Sequence, residues 1–354
     1  MKKILFVLPD LEFGGAQRNT INIVNKLCLK YKCKIILIYN SKINLEINKK
    51  IEVKSLNVSK LRFGIYKLYR EIKFFSPDII YSTIGYINLV LILLNILICK
   101  KIKVIIREAN FLSINIKRSK FKLMIRIAYQ YIYPISDNII CSSKAMKDDM
   151  VNILGKKILN KITLINNFVD VELIDQNIKK KKFKIDRNYI LIISSGRLTN
   201  QKGFDKVIKN FSKYKYSEIK LIIFGKGEEE KILKKTINKY GLKNIIIKQP
   251  TKNIWLWIYY SDYFMFTSRW EGMPNILLEA LHCGTKILDF SNIKQIDEIY
   301  DEKYNKNIIR MKLEEKININ TLSKKNYGNS KSILPTKFYI DENIQSLENL
   351  IEKK

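Results

Sequence analysis

The chain has 354 residues, 47% of them hydrophobic, and a formal net charge of +32 from 65 Lys and Arg against 33 Asp and Glu. That apolar content excludes an intrinsically disordered chain, and the length exceeds one average domain, so two folded domains are the starting expectation. The single histidine, His282, excludes a Ser/His/Asp triad and a His-rich metal site.

The positive charge fits a polyanionic partner (nucleic acid, an anionic membrane surface or a phosphorylated substrate) or a Lys-rich composition spread over the whole surface. Residues 1–170 carry 30 basic and 11 acidic residues, and residues 171–354 carry 35 and 22, so the bias is not confined to a tail. No recognised nucleic-acid-binding motif accompanies it.

The chain opens on an apolar stretch that resembles a short signal peptide, but Pro9 and Asp10 follow with no cleavage site, so Lys3–Leu8 reads as a buried first strand. Further strands are expected at Cys33–Tyr39, Asp78–Ser82, Lys103–Ile106, Asn138–Cys141 and Ile162–Ile165, and helices at Ala16–Lys30, Leu61–Phe74, Ile87–Ile98, Lys117–Ile132 and Ser143–Leu154. The most apolar run, Ile84 to Cys99, is shorter than the ~20 residues that span a bilayer, which predicts a buried helix and no transmembrane anchor. On Lys117–Ile132, Arg118, Lys122 and Arg126 form an i, i+4, i+8 stripe beside Phe121, Met124, Ile125 and Ala128. Such a helix suits docking on an anionic leaflet or an ordinary place on a protein surface. Five cysteines (Cys28, Cys33, Cys99, Cys141 and Cys283) sit in apolar segments without metal or redox spacing, which predicts reduced thiols in a core.

The run Lys179-Lys180-Lys181-Lys182 cannot be buried, and it marks residues 171–188 as a solvated linker or crossover. The rhythm then restarts. Strands are expected at Tyr189–Ser194, Lys220–Phe224, Asn244–Lys248, Tyr263–Thr267 and Lys286–Phe290, and helices at Phe204–Tyr214, Glu228–Tyr240, Asn253–Tyr260 and Asn275–Cys283. Residues 301–335 are polar and weakly patterned, and Tyr339–Glu352 reads as a final helix with no indication of which domain it covers. The fold class is therefore α/β: two Rossmann-like domains, 1–170 and 189–335, facing a central cleft, with a helix in 336–354. Ligands of such sheets bind outside the C-terminal strand ends, so the strand-to-helix loops carry the candidate chemistry.

Four such loops stand out. Gly14-Gly15 follows the first strand and permits close approach of a phosphate to a helix N-terminus, or serves a tight turn. In Gly196-Arg197-Leu198-Thr199-Asn200-Gln201-Lys202-Gly203, Arg197 and Lys202 can converge on one diphosphate, or stand as solvated bases. Phe224-Gly225-Lys226-Gly227-Glu228 repeats the strand–Gly–helix device, near a base or ribose or as a turn. Glu271-Gly272-Met273-Pro274-Asn275 and, one helical stretch later, Glu279 offer two carboxylates and a helix N-terminus to a polyhydroxylated, phosphorylated ligand. His282 reads as a core residue of that helix, and no Asp-x-Asp metal clamp is present.

In this order and at these separations the four loops resemble the retaining family-4 glycosyltransferases, the group 1 glycosyl transferases of GT-B fold, over about residues 1–300. The resemblance implies a glycosyltransferase moving a hexose or N-acetylhexosamine from a nucleotide sugar, UDP being the usual nucleotide, to a lipid-linked or cell-surface glycan acceptor, without a metal or other cofactor. It implies a cytoplasmic enzyme, with peripheral docking on the inner face of the cell membrane as a second placement. Carried over residue by residue, Arg197 and Lys202 grip the donor diphosphate. Glu271 holds donor-sugar hydroxyls, and Glu279 accepts from the ribose. Gly14, Gly15, Gly196, Gly225, Gly227, Gly272, Met273, Pro274 and Asn275 line the donor. Where relatives carry a His after the fourth strand of the first domain, this chain has Arg107-Glu108-Ala109-Asn110, which makes Arg107, Glu108 and Asn110 acceptor-binding candidates, with Glu108 also readable as a plain loop carboxylate. Thr285 replaces a usual Pro, and Glu298 falls in an altered acidic loop. The other readings are a catalytically silent glycan- or anion-binding protein on the same fold, and a basic nucleic-acid-binding protein.

Overall fold

The computed structural model describes residues 1–12, 14–40, 45–98, 102–179, 188–214, 216–293, 296–299, 306–325 and 330–353. The chain divides into two compact units, residues 1–167 with 341–354, and residues 168–340.

The first unit contains strands β1 Lys3–Leu8, β2 Lys32–Leu37, β3 Glu52–Ser55, β4 Ile79–Ser82, β5 Lys103–Arg107, β6 Asn138–Cys141 and β7 Ile162–Leu164. Its helices are α1 Gly15–Leu27, α2 Leu61–Phe75, α3 Gly85–Ile96, α4 Leu112–Arg118, α5 Lys122–Ile132 and α6 Lys144–Leu154. The second unit begins with α7 Val171–Lys179 and continues through β8 Ile190–Ser195, α8 Phe204–Tyr214, β9 Ile219–Phe224, α9 Glu230–Lys239 and β10 Ile245–Lys248. Then come α10 Ile254–Tyr259, β11 Tyr263–Phe266, α11 Asn275–His282, β12 Lys286–Asp289 and β13 Ile308–Arg310. The last helix, α12 Ile340–Glu352, returns to the first unit.

All paired strands are parallel. The sheets run β3-β2-β1-β4-β5-β6-β7 and β10-β9-β8-β11-β12-β13. Strands such as Ile4-Leu5-Phe6-Val7-Leu8 and Tyr263-Phe264-Met265-Phe266 are buried along their length, as a parallel sheet covered on both faces requires. Strand order reverses between β1 and β4 in the first sheet and between β8 and β11 in the second. At these two points adjacent loops diverge, leaving room for a ligand at the C-terminal strand ends.

Several expectations need correction. Residues 171–188 are not linker throughout, because Val171–Lys179 is helical, with Ile174 buried in the second core. The tetralysine beyond Lys179 and Cys99 lie outside the described residues. The helix expected over Lys117–Ile132 is two helices. Ser119 is extended (φ −71°, ψ 143°) and its Oγ accepts from the Phe121 amide at 3.1 Å, a local bond that competes with helix. Arg118 therefore ends α4 while Lys122 opens α5, and the basic stripe is broken. The apolar α3 is only half covered: Leu93 and Ile96 are exposed. Strand β3 is too short and too polar, and β13 too short, to announce themselves in the sequence. Cys28, Cys33, Cys141 and Cys283 are buried free thiols.

Candidate active site

Each unit presents its own set of loops. In the second, the chain leaves β8 through Gly196 and Arg197, makes a 3-10 turn at Asn200–Lys202, and enters α8. The backbone of this loop is glycine-dependent at two places. Gly203 has φ +65°, and a Cβ there would stand 2.4 Å from the Thr267 carbonyl oxygen. Gly196 leaves the space through which the Lys202 side chain runs: a Cβ would lie 3.0 Å from Lys202 Cε. Gly225 and Gly227 abut the same loop, since a Cβ on either would strike the carbonyl oxygen of Gly196 or Leu198. Their close approach is thus made to neighbouring backbone.

The loop after β11 lies alongside. Lys202 Nζ donates to Glu271 Oε1 at 2.6 Å, both side chains being mostly buried, and Ser268 Oγ donates to the same oxygen at 3.1 Å. The two residues expected to hold phosphate and sugar are neighbours, although 69 positions apart. Arg197 stands exposed at the end of β8. Gly272, Met273 and Pro274 are buried and lead into α11, whose N-cap is Pro274. Glu279 lies on α11 at 5% exposure and accepts from the Trp255 indole Nε1 at 2.5 Å.

Other residues hold the two loops together, and the sequence did not single them out. Arg269 makes a two-point contact with Asp205, Nη1 to Oδ1 at 2.8 Å and Nη2 to Oδ2 at 2.6 Å, and Nη1 also donates to the Asn200 carbonyl. Gln201 Nε2 donates to the Trp270 carbonyl, the Arg269 amide to the Gln201 carbonyl, and Thr267 Oγ1 to the Lys202 carbonyl. Burial raises the Asp205 carboxyl, but the Arg269 hydrogen bonds and charge outweigh it and hold the carboxyl below its usual range. The only signal in sequence was an acidic residue in the first turn of α8 and a basic one in the facing loop.

His282, at the end of α11, is buried and hydrogen-bonded rather than plain core. Nδ1 pairs with Ser332 Oγ at 3.1 Å and Nε2 with Asp175 Oδ1 at 3.0 Å. Thr285 donates to the Ile258 carbonyl and accepts from Lys325 Nζ, which also caps the carbonyls of Tyr259 and Cys283. A proline at 285 could offer neither bond.

In the first unit Gly14 is the extended N-cap of α1 (φ −144°, ψ 147°), so no left-handed backbone demands glycine there. A Cβ would meet only the movable Gln17 side chain. Arg107 and Glu108, expected to face an acceptor, are 4% and 1% exposed. Arg107 Nη2 turns to the carbonyls of Ile165 and Asn166 and to Asn167 Oδ1. Glu108 Oε1 accepts from the Tyr133 hydroxyl and from Asn88 Nδ2. Burial pushes its carboxyl up to about 7 against those bonds. Neither residue shows its charge at the surface, because Arg107 is the buried last residue of β5 and Glu108 follows it beneath the strand end. Asn110 is partly exposed, and its Oδ1 accepts from the Phe111 amide.

Residues 175–324 match the family model of the group 1 glycosyl transferases. An uncharacterized glycosyltransferase of Methanocaldococcus jannaschii is 29% identical over 278 residues, 73% of this chain and 68% of the relative. The N-acetylgalactosamine-N,N'-diacetylbacillosaminyl-diphospho-undecaprenol 4-alpha-N-acetylgalactosaminyltransferase of Campylobacter jejuni is 25% identical over 303 residues, 81% of this chain and 80% of the relative. Among solved structures, Anabaena Alr3699/HepE in complex with UDP and glucose superposes with a TM-score of 0.79 at 17% identity, over 99% of both chains. Sequence match and fold point the same way: residues 175–324 match the group 1 glycosyl transferase model, and the two parallel sheets share the GT-B architecture of the Anabaena structure.

Proposed function

We propose that the chain is a retaining glycosyltransferase that moves a hexose or N-acetylhexosamine from a UDP-linked donor to a lipid-linked or cell-surface glycan acceptor. The observation that carries this reading is the Lys202–Glu271 pair at 2.6 Å, set at the point where the second sheet reverses its strand order. The UDP and glucose in the Anabaena structure and the undecaprenol acceptor in the Campylobacter relative's name support the choice of donor and acceptor.

The donor diphosphate exchanges with Glu271 for the Lys202 ammonium and gathers the exposed Arg197. Glu271, released, accepts from hydroxyls of the donor sugar. As the sugar–phosphate bond breaks, negative charge grows on the diphosphate, where two fixed cations stabilise it without reorganisation. The leaving phosphate takes the acceptor proton, so no histidine base is needed. Glu279, oriented by Trp255, accepts from the ribose hydroxyls. Because Arg197 and Lys202 supply the charge, the reading needs no resident metal or cofactor. In the first unit, Asn110 faces the acceptor, and Arg107 and Glu108 support that surface from beneath. A lipid-linked acceptor places the enzyme at an anionic membrane surface.

The test is a thermal-shift screen over UDP-sugars followed by a UDP-release assay. A bound donor at a hundred times its Kd raises stability by about 2.7 kcal/mol. A screen with no shift, together with full turnover in Lys202→Ala and Glu271→Gln, would sink the proposal.

A further inference from the structure

Four buried polar residues of the first unit carry atoms with no hydrogen-bond partner in the protein: Tyr81 Oη, Thr83 Oγ1, Arg107 Nη1, and both Nδ2 and Oδ1 of Asn19. Each residue is 2% to 4% exposed. Unpaired polar atoms in an interior are costly and rare, so several in one place point to a ligand.

The sheet puts three of them together. β4 and β5 pair Tyr81 with Ile105 and Ser82 with Ile106, which sets Thr83 level with Arg107. Side chains alternate along a strand, and neighbours across a parallel pair point the same way, so Tyr81, Thr83 and Arg107 share one face. Ile80, Val104 and Ile106 point to the opposite face, into cores shared with α2, α3, α5 and α6. No residue of α1 belongs to those cores, although Asn19, Ile23 and Leu27 are buried along one side of that helix. α1 therefore covers the face of Tyr81 and Arg107, with Asn19 on its inner side. Burial raises the Tyr81 phenol and the Arg107 guanidinium opposes it, which places these two groups side by side.

The set is rich in donors and holds no acid. Through Nη2, Arg107 reaches the carbonyls of Ile165 and Asn166 and the Asn167 Oδ1, all uncharged. Glu108 supplies no countercharge, since its Oε1 accepts from Tyr133 and from Asn88 of α3, on the opposite face. A buried guanidinium without a countercharge is destabilising, whereas one oxyanion can accept from a guanidinium and two hydroxyls at once. The Asn19 amide nitrogen adds a fourth donor. A cation would meet Arg107 in repulsion, and an apolar group would leave every donor unpaired. Water would pair the hydroxyls and the amide but leave the charge unanswered.

We propose that the first unit binds a small oxyanion, a phosphate or a carboxylate, between β4, β5 and α1, held by Arg107 Nη1, the Tyr81 and Thr83 hydroxyls and the Asn19 amide. The site draws on none of the residues assigned to the donor. Arg107 also grips residues 165–167, the last of the first unit before residue 168, so the anion fixes the strand ends and the exit of the chain together. The oxyanion is free or carried by the sugar acceptor. Only the second source rests on the transfer reading.

Anion titration of the full chain, read by melting temperature, tests this. The background is Arg197→Ala/Lys202→Ala, which removes the cations assigned to the donor diphosphate and keeps the outcome independent of transfer. The probes are inorganic phosphate, glucose 6-phosphate and glucuronate at constant ionic strength, with chloride as the reference. At least one probe should raise the melting temperature saturably where chloride does not. Arg107→Met and, separately, Tyr81→Phe/Thr83→Val should each weaken its apparent affinity by about tenfold or more. A stronger response to phosphate assigns a free ion, and a stronger response to the sugar-borne oxyanions assigns an acceptor group. No saturable response, or one that survives both variants, overturns the proposal. Tyr81→Phe/Thr83→Val keeps side-chain shape, so it decides the matter even if Arg107→Met does not fold. If those hydroxyls serve no anion, removing them raises the melting temperature and leaves the anion response intact, which also overturns the proposal.

Discussion

Lys202 and Glu271 satisfy each other, and that pairing gives the site its most direct test. Replacing Glu271 by Gln leaves shape but removes charge, and Lys202→Ala removes the cation. Each should lower kcat/KM by about 10²- to 10³-fold in a UDP-release assay. Asp205 and Arg269 touch neither phosphate nor sugar in this reading. They position the Lys202 loop against the Glu271 loop. Asp205→Asn should therefore cost about tenfold in kcat/KM through misplacement of Lys202. The swapped pair Asp205→Arg/Arg269→Asp should recover part of that loss, and no recovery would reduce the contact to a surface ion pair. Glu108 bears on pH. Its folded carboxyl titrates at about 7, above the 4.5 of a free one. Between those values the folded state keeps a proton that the unfolded chain has lost, so this group's contribution to stability falls as pH rises from 4.5 to about 7. Glu108→Gln, which can still accept from Tyr133 and Asn88, should flatten that part of the melting-temperature profile.

At the level of elements, the loop–helix junctions depend on a few backbone positions. Gly203 combines φ +65° with the Thr267 carbonyl oxygen at 2.4 Å from any Cβ, so Gly203→Ala must move one strand-end loop away from the other. Chemical denaturation should show a loss of roughly 1–3 kcal/mol, with activity falling further than stability accounts for. Gly14, by contrast, should tolerate Ala with little loss of stability, since only the Gln17 side chain has to move. The divided α4–α5 pair shows why helix boundaries were the weakest part of the sequence reading. Periodicity continued through Ser119, but one hydroxyl accepting from the Phe121 amide offered the backbone a different partner. Thr285, where the resemblance led to an expected Pro, has a local explanation: its hydroxyl donates to the Ile258 carbonyl of α10 and accepts from the half-buried Lys325, whose ammonium is pushed down to about 8 by burial.

On the scale of the molecule, α12 closes the first unit although it follows the whole of the second. Ile344, Leu347, Leu350 and Ile351 are buried, and Lys2, Lys30, Tyr31 and Lys103 bond to residues 348–353. Ending the chain after Ile340 removes four buried aliphatic side chains at ~1.5–3 kcal/mol each, comparable with the whole stability of a domain. The truncated chain should lose the cooperative melting of the first unit, and an unchanged calorimetric profile would show that α12 is dispensable. The sequence alone determined the class of fold and the loops that matter. Continuous apolar runs alternating with helical periods admit little but parallel βαβ units, and Gly-rich strand-to-helix turns mark where such sheets bind ligands. It also made Arg197, Lys202, Glu271 and Glu279 visible, because charge in an otherwise apolar or glycine-rich turn is conspicuous. It could not pair Asp205 with Arg269 or Trp255 with Glu279, return α12 to the first sheet, sink Glu108 beneath the strand end, or bare one side of α3. Those outcomes depend on which segments lie side by side once the sheets form. That proximity is set by packing between residues tens to hundreds of positions apart, and no local pattern encodes it.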